Sequence, residues 1–120
     1  ADLITHRIAG ARTLADCLAG GDLDVELAAE VGGVVGRFHR AGIWHADLNA
    51  HNVLVSPAGL HLIDFDRGRQ RAPAAGWRLA NLRRLRRSLL KLGAAAAGEQ
   101  AFEHEIWQPL LHGHEHALTA

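Results

Sequence analysis

Residues 43–64 read IWHADLNAHNVLVSPAGLHLID, and this stretch decides the fold of the chain. Two short apolar runs flank a Pro-Ala-Gly turn at residues 57–59, a pattern that predicts a β-hairpin. A hairpin brings its outer ends together. Asn52 and Asp64 should therefore be neighbours, and Asp47 should lie on the loop just before them.

These three residues carry oxygen donors of the kind that hard cations and phosphate-bearing substrates use in proteins. Asp47 follows His45 by two residues, and Asn52 follows Asp47 by five. Any one of them alone is well explained as a turn cap or a strand end. The three together, at these spacings, favour a cation and phosphate site.

The same spacing resembles the catalytic loop and metal-binding motif of protein-kinase-like phosphotransferases. The chain more specifically resembles the bacterial 3-deoxy-D-manno-octulosonic acid (Kdo) kinases of the lipopolysaccharide kinase family. The motifs that carry this resemblance are HADLNAHN, IDFDRG and, at residues 77–89, WRLANLRRLRRSL. The resemblance extends from about residue 3 to residue 92. It implies an α+β, mainly α fold, namely the large C-terminal lobe of a protein-kinase-like fold with a small catalytic β-hairpin.

The resemblance also implies roles for the motif residues. Asp47 would accept or orient the proton of an attacking hydroxyl, and Asn52 and Asp64 would hold Mg²⁺ on the phosphates of ATP. His45 would support the site by hydrogen bonding to the backbone near Asp64. The implied reaction is ATP-dependent phosphorylation of the 4-hydroxyl of Kdo on a lipid A precursor, in lipopolysaccharide core assembly.

Departures from the protein-kinase pattern carry information about the acceptor. Asn49 stands where Ser/Thr kinases have lysine, so neutralisation of the γ-phosphate must come from elsewhere. Twelve residues separate Asp64 from Trp77, too few for a peptide-docking segment, so we expect an acceptor that is not a protein. One rival hypothesis is an aminoglycoside- or choline-type phosphotransferase, although those usually show HGD rather than HAD. The other is a non-catalytic binding module derived from a kinase.

A complete kinase-like enzyme also needs a glycine-rich loop over the phosphates and a strand lysine. Lys91 is the single lysine here, far beyond the catalytic loop, and nothing before Asp47 resembles such a glycine-rich hairpin. We therefore expect residues 1–12 to be the end of a small lobe with its hinge and residues 13–120 to be the large lobe. The rest of the small lobe would be absent from this chain, and the chain would be inactive alone.

The neutral formal charge conceals a basic segment. Residues 67–91 hold nine of the thirteen Lys and Arg residues and no acid. A helix is predicted from about residue 77 to residue 92, with five leucines on its buried side (Leu79, Leu82, Leu85, Leu89 and Leu92). Four cations would project on the other side (Arg83, Arg84, Arg87 and Lys91).

That basic face has three interpretations: a solvated surface, a nucleic-acid patch, or a contact for an anionic lipid-linked sugar and the membrane surface. No aromatic interleaving supports nucleic acid. The resemblance favours the lipid-linked anionic acceptor. The chain would then be cytoplasmic and peripheral on the inner face of the bacterial inner membrane, consistent with no apolar run near the ~20 residues of a membrane span and with the single cysteine, Cys17.

Three further helices are predicted. One starts at the capping pattern of residues 13–16 and stops at Gly20, and the next is capped by Asp24, ends at Gly42 and lies beneath the catalytic loop. We expect Gly32, Gly33 and Gly36 in that second helix to allow close helix packing.

His39 and Arg40, near the C-terminal end of the second helix, are expected to complement the helix dipole. The third helix starts at about Glu99, and Pro109 is expected to kink or end it. Residues 112–116, HGHEH, are expected to be a solvated tail rather than a metal site.

Overall fold

The computed structural model describes residues 10–45, 47–63, 69–70 and 75–119. Its helices are α1 (Leu14–Ala19), α2 (Val25–Arg40), α3 (Ala75–Lys91), α4 (Glu99–Phe102) and α5 (Gln108–Thr119), with a π-helical turn at Glu103–Trp107 between the last two. Its strands are β1 (Arg12–Thr13), β2 (Ile43–Trp44), β3 (Val53–Ser56), β4 (Gly59–Leu62) and β5 (Arg69–Gln70). The fold is α+β and mainly helical, as predicted.

The predicted hairpin is confirmed as β3 and β4. It belongs to an antiparallel sheet of order β1-β3-β4, in which Val55 of the central strand lies opposite Arg12 on one side and Leu60 on the other. A second antiparallel pair joins β2 to β5. No strand was predicted between Asp64 and Trp77, and β5 was missed because Arg69-Gln70 offers no apolar alternation.

Helix α1 begins as its capping pattern predicts. The Thr13 hydroxyl accepts a hydrogen bond from the Asp16 N–H, and the Asp16 carboxylate accepts one from the Thr13 N–H. The buried face carries Leu14 and Cys17, both fully inaccessible to solvent. The predicted boundary between residues 12 and 13 falls within β1, and the division of the chain at that point stays a prediction.

Helices α2 and α5 pack with their backbones in direct contact. A Cβ added to Gly32 would lie 1.8 Å from the Leu110 carbonyl oxygen, and one added to Gly36 would lie 2.5 Å from that of His114. These clashes confirm the close packing predicted at the two positions. The prediction is wrong for Gly33, where an added Cβ would meet only the flexible Arg37 side chain at 3.8 Å.

The leucine stripe of α3 is buried at its centre and exposed at its ends. Leu82, Leu85 and Leu89 lie in the core, whereas Leu79 is 49% and Leu92 42% exposed. The prediction that all five leucines lie on the buried side is therefore wrong for Leu79 and Leu92. Leu92 follows the final helical residue, and Leu79 lines an open cleft beside the π-helical turn.

The last helix does not end at Pro109. Proline has no N–H to donate to the carbonyl four residues back, and its ring crowds that carbonyl. The chain widens into the π-helical turn just before it, where the Gln108 N–H donates to the Glu103 carbonyl five residues back, and α5 then continues to Thr119. The solvated-tail prediction is wrong for His114, which is buried within α5.

In the described ranges, no helix combines the length and the apolar character needed to cross a membrane.

Candidate active site

The loop between β2 and β3 is organised around the main-chain carbonyl of Asp47. This oxygen accepts a hydrogen bond from Asn52 Nδ2 at 2.7 Å and one from Asn49 Nδ2 at 3.0 Å. The Asn49 amide oxygen in turn accepts the His51 N–H at 2.8 Å. These bonds fix the backbone of residues 47–52, while the Asp47 carboxylate remains 46% exposed.

His45 joins this loop to the far end of the hairpin. Its Nε2 donates to the Ile63 carbonyl at 2.7 Å, and its Nδ1 accepts the Asp47 N–H at 3.1 Å. Since one ring nitrogen faces an acceptor and the other a donor, these contacts fit the neutral ring with its proton on Nε2. Ile63 directly precedes Asp64 in the sequence. The role of His45 as support for a metal ligand stays a prediction.

Of the two predicted metal ligands, Asn52 is the one that lies within the described residues. It is 7% exposed, and its main-chain oxygen accepts the Ile63 N–H at 3.0 Å, so the two ends of the hairpin pair at this point. Because Nδ2 is bound to the Asp47 carbonyl, the amide has Oδ1 left for a cation, and a neutral oxygen is a ligand that Mg²⁺ accepts. Asp64 lies outside the described residues, so its position beside Asn52 stays a prediction.

Arg84 of α3 brings a positive charge to Asp47. Its Nη1 lies 3.6 Å from Asp47 Oδ1, and both side chains are about half exposed, at 48% and 46%. The sequence placed Arg84 among possible contacts for an anionic acceptor and gave no sign that it reaches the candidate base. A cation from a different element therefore lies beside Asp47, although Asn49 within the loop carries no charge.

A cleft of about 610 Å³ lies between the loop that carries Asp47 and α3. The loop contributes two polar groups and a carboxylate, and the helix contributes three cations and a hydroxyl; the lining residues are Asp47, Asn49, His51, Arg84, Arg87, Ser88, Lys91 and Leu92. Three of the four predicted anion contacts therefore share one cleft with Asp47. The fourth, Arg83, is exposed but lines neighbouring clefts instead.

A series of buried hydrogen bonds connects α5 to the loop between β2 and β3. His114 Nε2 lies 2.7 Å from His39 Nδ1, and His39 Nε2 lies 2.9 Å from Asn81 Oδ1. Asn81 Nδ2 donates to the His45 carbonyl at 2.7 Å, and Asn81 Oδ1 also accepts the His45 N–H at 3.3 Å. The asparagine amide therefore matches both main-chain groups of His45.

The two histidines of this hydrogen-bonded series, His39 and His114, have lowered pKa values, which favour their neutral forms. Burial lowers the pKa of His39, and burial, with smaller contributions from His39 and Arg78, lowers the pKa of His114 to about 4. Because Asn81 Oδ1 accepts, His39 must carry its proton on Nε2, and His114 must then donate from its own Nε2. The predicted dipole role is wrong for His39, since a neutral buried ring supplies no charge to the helix end.

Comparison with known proteins identifies a family for this chain. Residues 1–113 match the model of the Lipopolysaccharide kinase (Kdo/WaaP) family. The chain belongs to this family.

Curated relatives are named 3-deoxy-D-manno-octulosonic acid kinase. The chain is 50% identical over 93 residues to that of Xylella fastidiosa (strain M12), covering 77% of the chain and 37% of the relative. It is 50% identical over 106 residues to that of Stenotrophomonas maltophilia (strain K279a), covering 86% and 40%. It is 52% identical over 103 residues to that of Xanthomonas oryzae pv. oryzae (strain PXO99A), covering 82% and 40%. The matched part is thus less than half the length of these kinases.

Two polar residues of this lipopolysaccharide kinase family member were missed as candidate site residues. Asn81 holds His45, and the Ser88 hydroxyl accepts the Ala50 N–H at 2.9 Å. Their spacing in the sequence could have identified them. They lie seven residues apart on the side of α3 that also carries the buried leucines, where polar side chains need partners.

Proposed function

We propose that this chain is the large lobe of a protein-kinase-like enzyme that transfers the γ-phosphoryl group of ATP to a hydroxyl of Kdo. The acceptor is a lipid A precursor, and the hydroxyl is the one at position 4. The observation that carries the proposal is the placement of the Asp47 carboxylate, on a loop fixed by hydrogen bonds, at the edge of a cleft lined by three cations. The length of the curated relatives supports a second lobe in the working enzyme.

In the proposed reaction, Asp47 orients the acceptor hydroxyl and takes its proton as the oxygen attacks. The bond from that oxygen to the γ-phosphorus forms, the bond from the γ-phosphorus to the β,γ-bridging oxygen breaks, and ADP leaves. Arg84, whose Nη1 lies 3.6 Å from Asp47 Oδ1, would balance charge on the transferred phosphoryl group. Positioning and electrostatic stabilisation supply most of the catalysis in phosphoryl transfer. Asn52 and Asp64 would hold Mg²⁺, which when bound neutralises charge on the phosphates.

We assign the acceptor to the part of the same cleft that lies beyond Arg84 along α3. Arg87 and Lys91 lie one and two helical turns beyond Arg84 and line the cleft with it. Cations so placed suit the carboxylate of an acidic sugar, because charge-assisted hydrogen bonds to carboxylates are among the stronger polar contacts. We further propose that the enzyme works on the cytoplasmic face of the inner membrane and meets it peripherally, with neither protein nor nucleic acid as substrate.

The test is Asp47→Asn in the full-length enzyme. The substitution keeps the shape of the side chain and removes its capacity to take a proton, so we expect kcat to fall by at least about 100-fold with ATP affinity within about twofold of wild type. Phosphate transfer to a Kdo-bearing lipid A precursor, and separately to an aminoglycoside, measures both the rate and the acceptor class.

The matched control is Asp22→Asn, which removes an exposed carboxylate paired with Arg12 outside the cleft. We expect its kcat to equal that of wild type. Near-normal turnover by purified Asp47→Asn contradicts the assignment of the base, and preferential phosphorylation of the aminoglycoside contradicts the assignment of the acceptor.

A further inference from the structure

We infer that Asn81 and Ser88 of α3 are positioning residues that hold the catalytic loop at two points and thereby set Asp47 against Arg84. The inference rests on the proposed function, because it takes Asp47 to be the reacting carboxylate. It gives α3 a second task besides presenting cations to the cleft.

The first attachment is at His45. Asn81 is 2% exposed, and its amide both donates to the His45 carbonyl and accepts the His45 N–H. An amide opposite both main-chain groups of one residue fixes the position and the orientation of that residue together. The His39 ring, bonded to Asn81 Oδ1 at 2.9 Å, in turn restrains the asparagine.

The second attachment is at Ala50. The Ser88 Oγ accepts the Ala50 N–H at 2.9 Å, and the Ala50 carbonyl accepts the Ala15 N–H from α1 at 3.0 Å. Ala50 is fully buried, so its N–H depends on a protein partner. Ser88 supplies that partner from a side chain that also lines the cleft.

Helical geometry places Arg84 between the two attachments. Residues 81, 84 and 88 follow the i, i+3, i+7 spacing of one helix face. The attachments lie about 10 Å apart along the axis, at 1.5 Å rise per residue. The loop residues that they hold, His45 and Ala50, lie on either side of Asp47 in the chain, and Arg84 faces Asp47 at 3.6 Å. One rigid helix therefore fixes both members of the Asp47–Arg84 pair.

The hydrogen bonds of buried Asn81 argue against a merely space-filling role. A leucine at position 81 would fill the core as its neighbours Leu82 and Leu85 do, yet it would leave the N–H and carbonyl of His45 without this partner. Those two groups belong to the residue whose ring also binds the Asp47 N–H. Loss of the hydrogen bonds between Asn81 and His45 would therefore also shift Asp47, because the His45 ring binds its N–H.

The experiment compares Ser88→Ala, Ser88→Thr and Ser56→Ala in the full-length enzyme. Ser56 also accepts a main-chain N–H, from Ala58 in the hairpin turn, so its alanine variant is a matched loss of hydroxyl away from the cleft. We expect Ser88→Ala to lower kcat about tenfold, because small misplacements of reacting groups are costly, with KM for ATP within about twofold. Threonine should restore most of the rate, and Ser56→Ala should be unchanged.

A readout independent of turnover separates this inference from the proposed function. Amide hydrogen exchange at Ala50 should accelerate at least about tenfold in Ser88→Ala, relative to Ser56→Ala, because the N–H loses its acceptor. Wild-type exchange at Ala50, or a kcat equal to that of Ser56→Ala while Asp47→Asn is inactive, overturns the positioning role alone. Full activity of Asp47→Asn overturns the proposed function, and the exchange result still decides whether the tether exists.

Discussion

At the scale of single residues, His39 and His114 give the molecule a predictable dependence on pH. Both pKa values lie below the ordinary 6.5, His114 at about 4, so the unfolded chain binds protons that the folded chain does not. Stability from these rings is therefore complete above pH 6.5 and is lost as the pH falls from 6.5 towards 4. A second proton on His39 Nδ1 would face the His114 donor, and Arg78 adds repulsion. The expected loss for the pair is on the order of 1–3 kcal/mol.

Urea unfolding of the full-length enzyme at pH 7.5, 6 and 5, followed by tryptophan fluorescence, measures this loss. His114→Gln retains an amide donor for His39 and removes one titrating group, so its unfolding midpoint should decline less between pH 7.5 and 5. His112→Gln, which changes an exposed histidine on the same helix, should decline as wild type does. An equal pH dependence of all three proteins would show that protonation of the His39–His114 pair does not cause the loss of stability.

Local spacing explains which site residues could be predicted. His45, Asp47 and Asn52 lie within eight residues, and their contacts are made inside one loop, so the sequence pattern alone placed them together. His114 reaches His39 across 75 positions. No periodicity links two such residues, and a histidine near other histidines in a polar segment was reasonably expected to be solvated.

At the scale of elements, α3 was predicted with its cations on the correct side, since amphipathic period and exposure agree for Arg83, Arg84, Arg87 and Lys91. Its contacts with the loop were not predictable, because they depend on where a distant segment lies. Asn81 and Ser88 interrupt the apolar pattern, which marks them as polar residues in need of partners without identifying those partners. Likewise, the pairing of β5 with β2 follows from tertiary placement rather than from the residues of β5.

The charge of α3 leads to a prediction for Arg87→Gln combined with Lys91→Gln. Each basic residue near an anionic surface contributes roughly 1 kcal/mol, so the double variant should bind anionic vesicles about 30-fold more weakly at low salt. It should also raise KM for the lipid-linked acceptor more than KM for ATP, because both residues line the cleft beyond Arg84. The fold should be unaffected, since both side chains are exposed and the buried leucines are unchanged.

The control for that variant is Arg37→Gln combined with Arg40→Gln. It removes the same charge from exposed positions of α2 that are absent from the Asp47 cleft. Vesicle sedimentation at low and high salt, with steady-state kinetics, compares the two. If both double variants lose vesicle binding equally and keep the wild-type KM for the acceptor, α3 has no specific part in acceptor recognition.

At the scale of the whole molecule, several elements hold the loop between β2 and β3, while its carboxylate stays open to solvent. Helices α1 and α3 hold its backbone, and the hairpin ends meet at Asn52 and Ile63. The Asp47 carboxylate is nonetheless 46% exposed at the edge of an open cleft. Transfer of a phosphoryl group needs water excluded and the nucleotide phosphates held on both sides.

We therefore predict that residues 1–120 alone do not turn over ATP, whereas the full-length enzyme does. The chain spans 37–40% of the length of the curated kinases that it matches, which leaves room for a nucleotide-covering lobe in the working protein. ADP release by the purified 120-residue chain with Mg²⁺ and a Kdo-bearing acceptor is the measurement, and the same chain carrying Asp47→Asn is the control for contaminating ATPases. Release by the unsubstituted chain that clearly exceeds the Asp47→Asn background would show that this lobe assembles a competent nucleotide site by itself. Release equal to that background, with turnover by the full-length enzyme, agrees with a catalytic base that is preorganised here and completed by a second lobe.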